Sequence, residues 1–180
     1  MMRSVLMSEL NFLENPYDQC VFWRGCTTYG KCIILLFVDD LLICAANESY
    51  LDIIYAHLLD KFKEVKCTKG KVHSFLGLSL DFQIEGEITL HMEGYIKEML
   101  KCYCVTRKAK TPARNDLFSI DDDSPLLSDD EKALYYSAAY KLLYVGKRTR
   151  PEILLDLNFL TTRAPSPTTP DRTKLYRVLE

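Results

Sequence analysis

The stretch CIILLFVDDLLICAA, residues 32–46, contains the strongest structural signal in this sequence. Two adjacent carboxylates, Asp39 and Asp40, interrupt a run of apolar residues. An unpaired ionised carboxylate is very costly to bury, so the pair must lie where the backbone reverses and water or a metal ion can reach it. The stretch therefore predicts a β-hairpin with Asp39 and Asp40 at its tip. The lack of strict alternation favours strands that are covered on both faces of a sheet.

Two carboxylates on a rigid hairpin are suitable ligands for a divalent cation. Mg²⁺ prefers oxygen ligands and commonly takes one or two carboxylates together with substrate phosphates. The arrangement thus indicates metal-assisted phosphoryl transfer. The alternative is an ordinary turn, where Asp is favoured for its local hydrogen bonds. The stretch does not predict a membrane span, because it is shorter than the ~20 residues required and has two aspartates at its centre.

The composition is that of an ordinary globular protein. The chain has 180 residues, of which 48% are hydrophobic and 27% are charged, enough for one sizeable core or two small ones. A formal net charge of -2 gives no sign of a strongly basic protein, so any nucleic-acid-binding surface must be local. Seven cysteines without zinc-knuckle spacing or a secretory leader indicate reduced thiols in an intracellular protein.

Helical patterns lie on both sides of the hairpin. Apolar residues at helical spacing predict an amphipathic helix over residues 1–14, which ends before Asn15-Pro16. Asn47 can cap a second helix, whose apolar stripe extends from Leu51 to Phe62. We expect this second helix to pack on the sheet.

The second half of the chain begins with strands and continues with helices. Residues 75–82 and 88–91 are typical of two strands, joined by a tight turn at Glu85-Gly86. From Met92 onward the apolar spacing is helical, and Ser128-x-x-Glu131 is a capping box that begins a further helix. The pattern predicts a mainly helical region after residue 91.

Charged residues are concentrated in segments of one sign. Residues 115–131 contain seven acids and no Lys or Arg, which predicts an exposed and mobile linker. Three basic bands, over residues 61–71, 97–114 and 147–150, would attract a nucleic-acid backbone, although each is also compatible with an ordinary solvated surface. The basic residues that we select as candidates are Lys66, Lys69, Lys71, Lys108, Lys110, Arg114, Lys147, Arg148 and Arg150.

An ordered series of short motifs resembles a known family. Phe37-Val38-Asp39-Asp40 between hydrophobic strands is similar to the aromatic-x-Asp-Asp box of reverse transcriptases. Other boxes precede and follow it at distances typical of the family, and the series resembles the reverse transcriptase of copia-type LTR retrotransposon Pol polyproteins over nearly the whole chain. The chain departs from the family at Phe37, where Tyr is usual, and at Glu152, where Asp is usual. The other boxes are Pro16 to Phe22, Phe75 to Leu78, His91, Gly94 to Ile96 and Thr149 to Ile153.

The resemblance implies an α+β fold. Residues 1–91 would form part of a polymerase palm, an antiparallel sheet with packed helices that carries the catalytic hairpin. Residues 92–180 would form a helical thumb. The family also has an upstream strand with another catalytic Asp and a fingers region. Since neither is recognisable here, we expect the chain to correspond to the C-terminal part of the polymerase and to lack useful activity by itself.

The resemblance also implies an activity and its site. The reaction would be RNA-directed DNA polymerisation, a Mg²⁺-dependent nucleotidyl transfer from a dNTP to a primer 3′ oxygen on an RNA or DNA template, with Mn²⁺ as a substitute metal. Asp39 and Asp40 would be the catalytic and metal-binding residues, and Phe37 and Val38 would contact the substrate. Gly77 would allow a close approach of the primer strand.

Further expectations concern partners and alternatives. The partners would be a template-primer, a dNTP and the remainder of a Pol polyprotein. Association with a membrane is not expected. The location would be intracellular, in the cytoplasm, with the nucleus and virus-like particles as alternatives. A second hypothesis is a non-catalytic nucleic-acid-binding remnant of such a polymerase, and a third is a purely structural α+β domain.

Overall fold

The structure is a computed structural model that describes residues 1–121 and 123–180. The fold is α+β, with antiparallel sheets and helices, as predicted. The chain divides into two compact units, Met1–Phe75 and Leu76–Glu180. The assignment of residues 1–91 to a palm and residues 92–180 to a thumb stays a prediction. Asp122, which belongs to the predicted linker, lies outside the described residues.

The first unit contains a four-stranded antiparallel sheet in the order β1-β2-β3-β4. Strand β3 pairs with β2 on one side and with β4 on the other, so the apolar stretch that contains Asp39 and Asp40 lies in a continuous hairpin, as predicted. A fifth strand ends the unit. The strands are β1 (Leu13–Glu14), β2 (Val21–Cys26), β3 (Gly30–Phe37), β4 (Asp40–Ala45) and β5 (Val72–Phe75).

One face of this sheet carries the core of the first unit. Cys32 and Ile34 of β3 are fully buried there. Two helical segments cover them: α1 (Met2–Ser4), which continues as a π-helix over Val5–Glu9, and α2 (Glu48–Phe62). The side chain of Asn47 accepts a hydrogen bond from the backbone N–H of Ser49 at 2.9 Å, which confirms the predicted cap of α2.

The opposite face of the sheet is only partly covered. Trp23 is 39% exposed and Phe37 is 50% exposed, while Leu35 and Leu42 are half-buried. The expectation that both faces are covered is therefore wrong for this sheet. A continuous apolar run is compatible with burial on both faces, but it does not require it, because half-exposed apolar side chains are common at protein surfaces.

The predicted helix over residues 1–14 is shorter than expected. Helical structure ends at Glu9, and Leu13–Glu14 instead pair with Phe22 and Trp23 as strand β1. Asn11 has a φ of +55°, the left-handed conformation that commonly follows a helix end and that Asn tolerates well. Of the apolar residues at helical spacing, Val5, Leu6 and Leu10 are buried, but Leu13 is 56% exposed, because the spacing could not show this reversal.

The second unit begins with two antiparallel strands, β6 (Leu78–Asp81) and β7 (Thr89–His91). Four helices follow, and their apolar side chains form one core. None of the helices in the described ranges is long and apolar enough to cross a membrane. The helices are α3 (Glu93–Cys102), α4 (Asp129–Gly146), α5 (Leu154–Arg163), which follows a 3₁₀ turn over Pro151–Ile153, and α6 (Thr169–Leu179).

A turn divides the stretch that was expected to be one strand over residues 75–82. Leu76 has a φ of +52° and Gly77 a φ of +73°, so β5 ends at Phe75 and β6 begins at Leu78. Positive φ at two successive residues is what a tight type I′ hairpin turn requires, and Gly supplies it without steric cost. The Leu76-Gly77 turn replaces the continuous strand.

Capping boxes fix two of the helices in the second unit. Ser128 and Glu131 form the predicted box at the start of α4, and Thr168 and Asp171 form a second one at the start of α6. The acidic segment before α4 is anchored near its end, because the N–H of Leu127 donates to the carbonyl of Pro167 at 2.9 Å. The mobility of this segment stays a prediction.

The burial of Cys32 leads to a chemical test of the fold. All seven cysteines are free, and burial raises the pKa of the Cys32 thiol to about 11. Alkylating reagents react with the thiolate, so a buried thiol with a high pKa reacts slowly. We expect iodoacetamide in mildly alkaline buffer to label the exposed Cys20, Cys67, Cys102 and Cys104 and to spare Cys32, as measured by mass spectrometry. Equal labelling of Cys32 and Cys67 without denaturant would contradict this fold.

Candidate active site and nucleic-acid interface

A two-residue turn connects β3 to β4. Phe37 is paired with Asp40 in the register of the two strands, so Val38 and Asp39 form the turn itself. The sequence had placed both aspartates at the tip. In the structure the tip lies one residue earlier and Asp40 is the first residue of β4, because pairing continues to the very end of the hairpin.

Val38 has an unusual backbone conformation. Its φ is +55°, a left-handed value that β-branched residues rarely adopt, and its side chain is 75% exposed. Positive φ at the first turn position is what a two-residue hairpin needs to match the twist of its strands, and Gly is the usual residue there. Strain of this kind costs on the order of 1–3 kcal/mol and is concentrated at functional sites. Val38 belongs to the motif around the aspartates, but nothing in the sequence indicates this strain.

Asp40 projects from the partly exposed face of the sheet. Side chains alternate along β3, and Ile34 points into the core, so Phe37 lies on the opposite face. Cross-strand partners share a face, which places Asp40 beside Phe37. Leu35 and Leu42 lie on the same face, so the carboxylate stands at the edge of an accessible apolar surface.

The two aspartates fit part of a magnesium site. Both are exposed, adjacent in sequence and held at the end of a paired hairpin. In the ranges 1–121 and 123–180, no group of three or more His, Cys, Asp or Glu side chains is arranged to hold a metal ion. Mg²⁺ often uses only one or two carboxylates and completes its shell with water and phosphate oxygens. Asp39 and Asp40 could therefore provide the protein ligands that such a shared site needs.

Two tyrosines hold the Leu76-Gly77 turn in the second unit. The hydroxyl of Tyr144 on α4 donates a hydrogen bond to the carbonyl of Leu76. A Cβ atom added at Gly77 would lie 3.6 Å from Tyr95 and 4.0 Å from Tyr144, so both tyrosines border the space where a side chain at residue 77 would stand. The guanidinium of Arg148 lies over the Tyr144 ring, 3.5 Å from its centroid. The sequence showed Gly77 and Arg148 as separate candidates, and only the folded chain joins them through Tyr144.

The candidate lysines of the first unit lie at its surface. Lys66, Lys69 and Lys71 are all exposed. Lys69 forms an ion pair with Asp52 of α2, and this carboxylate raises the pKa of Lys69. An exposed position is what a phosphate contact requires, although the ion pair makes Lys69 less available than its neighbours.

The candidate basic residues of the second unit fall into two groups. Lys108, Lys110 and Arg114 are exposed in the segment after α3. The second group, Lys147, Arg148 and Arg150, lies at the end of α4 and in the loop after it, where Arg150 is paired with Glu152. This carboxylate is held ionised by Arg150, which lowers the pKa of Glu152.

Comparison with known proteins identifies the class to which this arrangement belongs. Residues 1–113, which include the hairpin with Asp39 and Asp40, match the family described as reverse transcriptase (RNA-dependent DNA polymerase). This chain belongs to the reverse transcriptase family. The resemblance read from the short motifs is thereby confirmed, and with it the prediction that the chain is a fragment of a copia-type reverse transcriptase.

Two curated proteins are similar over most of the chain. A transposon Ty5-1 protein of Saccharomyces cerevisiae is 29% identical over 159 residues, which cover 86% of this chain and 49% of the yeast protein. A retrovirus-related Pol polyprotein from transposon TNT 1-94 of Nicotiana tabacum is 25% identical over 154 residues, which cover 82% of this chain and 11% of the polyprotein. The chain thus spans about half or less of these relatives. No solved structure matches it.

The strained turn can be tested through stability. Replacing Val38 with Gly should raise the free energy of unfolding by about 1 kcal/mol, because the strain removed exceeds the extra conformational entropy of Gly in the unfolded chain. Urea denaturation followed by circular dichroism measures the change. Val72→Gly is a matched control, since Val72 is also exposed, at 44%, but lies in strand β5 without a positive φ. The Val72→Gly control should be less stable than the unmodified chain. If Val38→Gly also lowers the free energy of unfolding, Val38 is not strained.

Proposed function

We propose that this chain supplies the aspartate hairpin of a reverse transcriptase active site, for Mg²⁺-dependent transfer of a nucleotide from a dNTP to a primer 3′ oxygen. The observation that carries the proposal is the exposed, strained turn at Val38, which presents Asp39 and Asp40 within the part of the chain that matches the family. An exposed turn gains little from packing, so its strain favours a role in chemistry over a role in stability.

The carboxylates would hold the metal ion and leave its remaining positions to phosphate oxygens. A divalent metal, Mg²⁺ or Mn²⁺, supplies charge stabilisation for the attacking and leaving oxygens when it is bound. Asp39 and Asp40 neutralise part of the metal charge and fix its place relative to the sheet. Phe37, half-exposed beside Asp40, offers an apolar surface for a sugar or base, and Val38 borders the same position.

Exposed basic residues support binding of a template-primer. Contacts with phosphates position nucleic acid without reading its sequence, as a polymerase requires. The candidates are those selected from the sequence, including Gly77, although Tyr95 and Tyr144 border the space where a side chain at residue 77 would stand. The further partners would be a dNTP and the remainder of a Pol polyprotein. The free cysteines favour a reducing location, which is the cytoplasm, the nucleus or a virus-like particle.

A second candidate function is nucleic-acid binding without catalysis. It is favoured by one observation, the lack of a third metal-binding side chain near the hairpin within the described ranges. Two carboxylates alone make a weak site, and phosphoryl transfer also requires that the triphosphate be oriented. The two functions differ in whether Asp39 and Asp40 are needed, so substitution of these residues separates them.

Primer extension on an RNA template tests the catalytic role. We expect the isolated chain to show little incorporation, and the chain combined with the remaining segments of a related reverse transcriptase to show Mg²⁺-dependent incorporation. Asp39→Asn in the combined enzyme should lower the rate by at least about a hundredfold, because charge stabilisation in the transition state is lost. Asp60→Asn, an exposed carboxylate on α2, is the control and should leave the rate unchanged. Full activity of the Asp39→Asn enzyme would refute the catalytic role.

Binding of nucleic acid should depend steeply on salt. Each phosphate contact contributes a slope of about -0.9 to the logarithm of affinity against the logarithm of salt concentration for duplex DNA. We expect Lys108→Gln with Lys110→Gln to make this slope shallower by about one to two units in a fluorescence anisotropy titration. Lys31→Gln with Lys132→Gln, which removes equal charge outside the basic bands, should leave it unchanged. Affinity that does not change with salt would contradict the phosphate contacts.

A further inference from the structure

A cavity of about 480 Å³ lies between α6 and the segment that follows α3. Two hydrogen bonds hold this segment against the helix. The backbone N–H of Ala109 donates to the carbonyl of Glu180 at 2.9 Å, and the guanidinium of Arg177 donates to the hydroxyl of Thr111 at 3.4 Å. A cavity of this volume falls in the range typical of small-ligand sites, about 300–1,000 Å³.

The lining of this cavity carries an excess of positive charge. Five basic side chains face it, against the carboxylates of Asp116 and Glu180. Three of the five come from α6, which lies outside the basic bands of the sequence, and two come from the segment after α3. The five are Arg107, Arg114, Arg172, Lys174 and Arg177.

Only part of this charge is compensated by neighbouring groups. Arg172 is ion-paired with Glu131, and Lys174 donates to the carbonyl of Ser119 at 2.5 Å. No hydrogen bond or ion pair is made by the guanidinium of Arg107 or Arg114 with the described residues. Arg107 and Arg114 are exposed, and cations gathered around a concave space strengthen the attraction for an anion.

The side chain of Arg177 provides a geometric observation in addition to the charge of the cavity. Its Nε atom is buried and has no hydrogen-bond partner within the described ranges, although the other end of the guanidinium contacts Thr111. A buried donor without an acceptor is costly, on the order of 1–3 kcal/mol, and native proteins rarely leave one unpaired. An oxygen-rich anion in the cavity would supply the acceptor.

We propose that this cavity binds phosphate groups. Guanidinium groups present paired N–H donors that match phosphate oxygens, and arginine is the predominant residue of the lining. The phosphates could belong to a free nucleotide or polyphosphate, or to the backbone of a bound nucleic acid. The inference rests on the proposed function only in the second case, where the cavity becomes an additional anchor for the template-primer.

Calorimetric titration of the full chain tests the site with two probes, tripolyphosphate and a short DNA duplex. Arg107→Gln with Arg177→Gln should weaken tripolyphosphate binding by about tenfold or more, because each lost guanidinium removes a charge-assisted hydrogen bond. Lys31→Gln with Lys132→Gln is the control, with equal loss of charge outside the cavity, and should change affinity less than about twofold. Asp116→Asn should strengthen binding, a gain that misfolding cannot produce.

The two probes distinguish the sources of the phosphate. A loss confined to tripolyphosphate supports a free nucleotide or polyphosphate, and a loss confined to the duplex supports the nucleic-acid backbone. Unchanged binding of both probes by the double arginine variant, or weaker binding after Asp116→Asn, would overturn the proposal. Because tripolyphosphate binding requires no polymerisation, it should survive Asp39→Asn, and the site can therefore fail or succeed independently of the catalytic role.

Discussion

The pairing of Phe37 with Asp40 is the constraint on which the candidate active site depends. Because side chains alternate along a strand, a shift of one residue in this register would turn Asp40 toward the core. The register is held by the burial of Cys32 and Ile34 beneath α2, where any shift would expose apolar surface and bury polar atoms. The same pairing leaves only two residues for the turn and forces Val38 into its left-handed conformation. Packing far from the carboxylates thus determines how they are presented.

In the second unit, helices rather than a sheet determine where candidate residues lie. The capping box of Ser128 and Glu131 fixes the start of α4, and the core around Tyr135 and Leu142 fixes its direction. Tyr144 then lies on α4 where its hydroxyl meets the Leu76 carbonyl. Burial also raises the pKa of Tyr135, whose hydroxyl donates to the carbonyl of Leu160 at 2.8 Å. The Leu76-Gly77 turn is therefore supported by helical packing, whereas the aspartate hairpin is supported by a sheet.

Local chemistry explains what could be predicted from the sequence. The hairpin followed from the cost of burying Asp39 and Asp40, and the caps at Asn47 and Ser128 followed from the need to satisfy free N–H groups at helix starts. Family motifs added Gly77 and the hairpin residues as site candidates. These signals are contained within a few neighbouring residues, so they are visible without the fold.

The features that escaped prediction depend on contacts distant in sequence. The end of the first helix at Glu9 is set by the pairing of β1 with β2, and the break at Leu76-Gly77 is a turn in which only Gly77 carries a sequence signal. The contact between Tyr144 and Leu76 joins residues 68 positions apart. The cavity against α6 likewise brings together basic residues that no spacing rule relates. The periodicity of apolar residues predicts one helix or strand at a time, so it cannot show which distant residues are in contact.

The two contacts of the Tyr144 side chain have a mechanical consequence. Its ring carries the Arg148 guanidinium and its hydroxyl holds the Leu76 carbonyl, so one rigid side chain spans the distance between a cation and a turn. Aromatic rings do not bend, and the two contacts lie on different parts of the same side chain. Arg148 and the Leu76-Gly77 turn are therefore linked through one aromatic side chain, so a rotation of the Tyr144 ring would disturb both contacts.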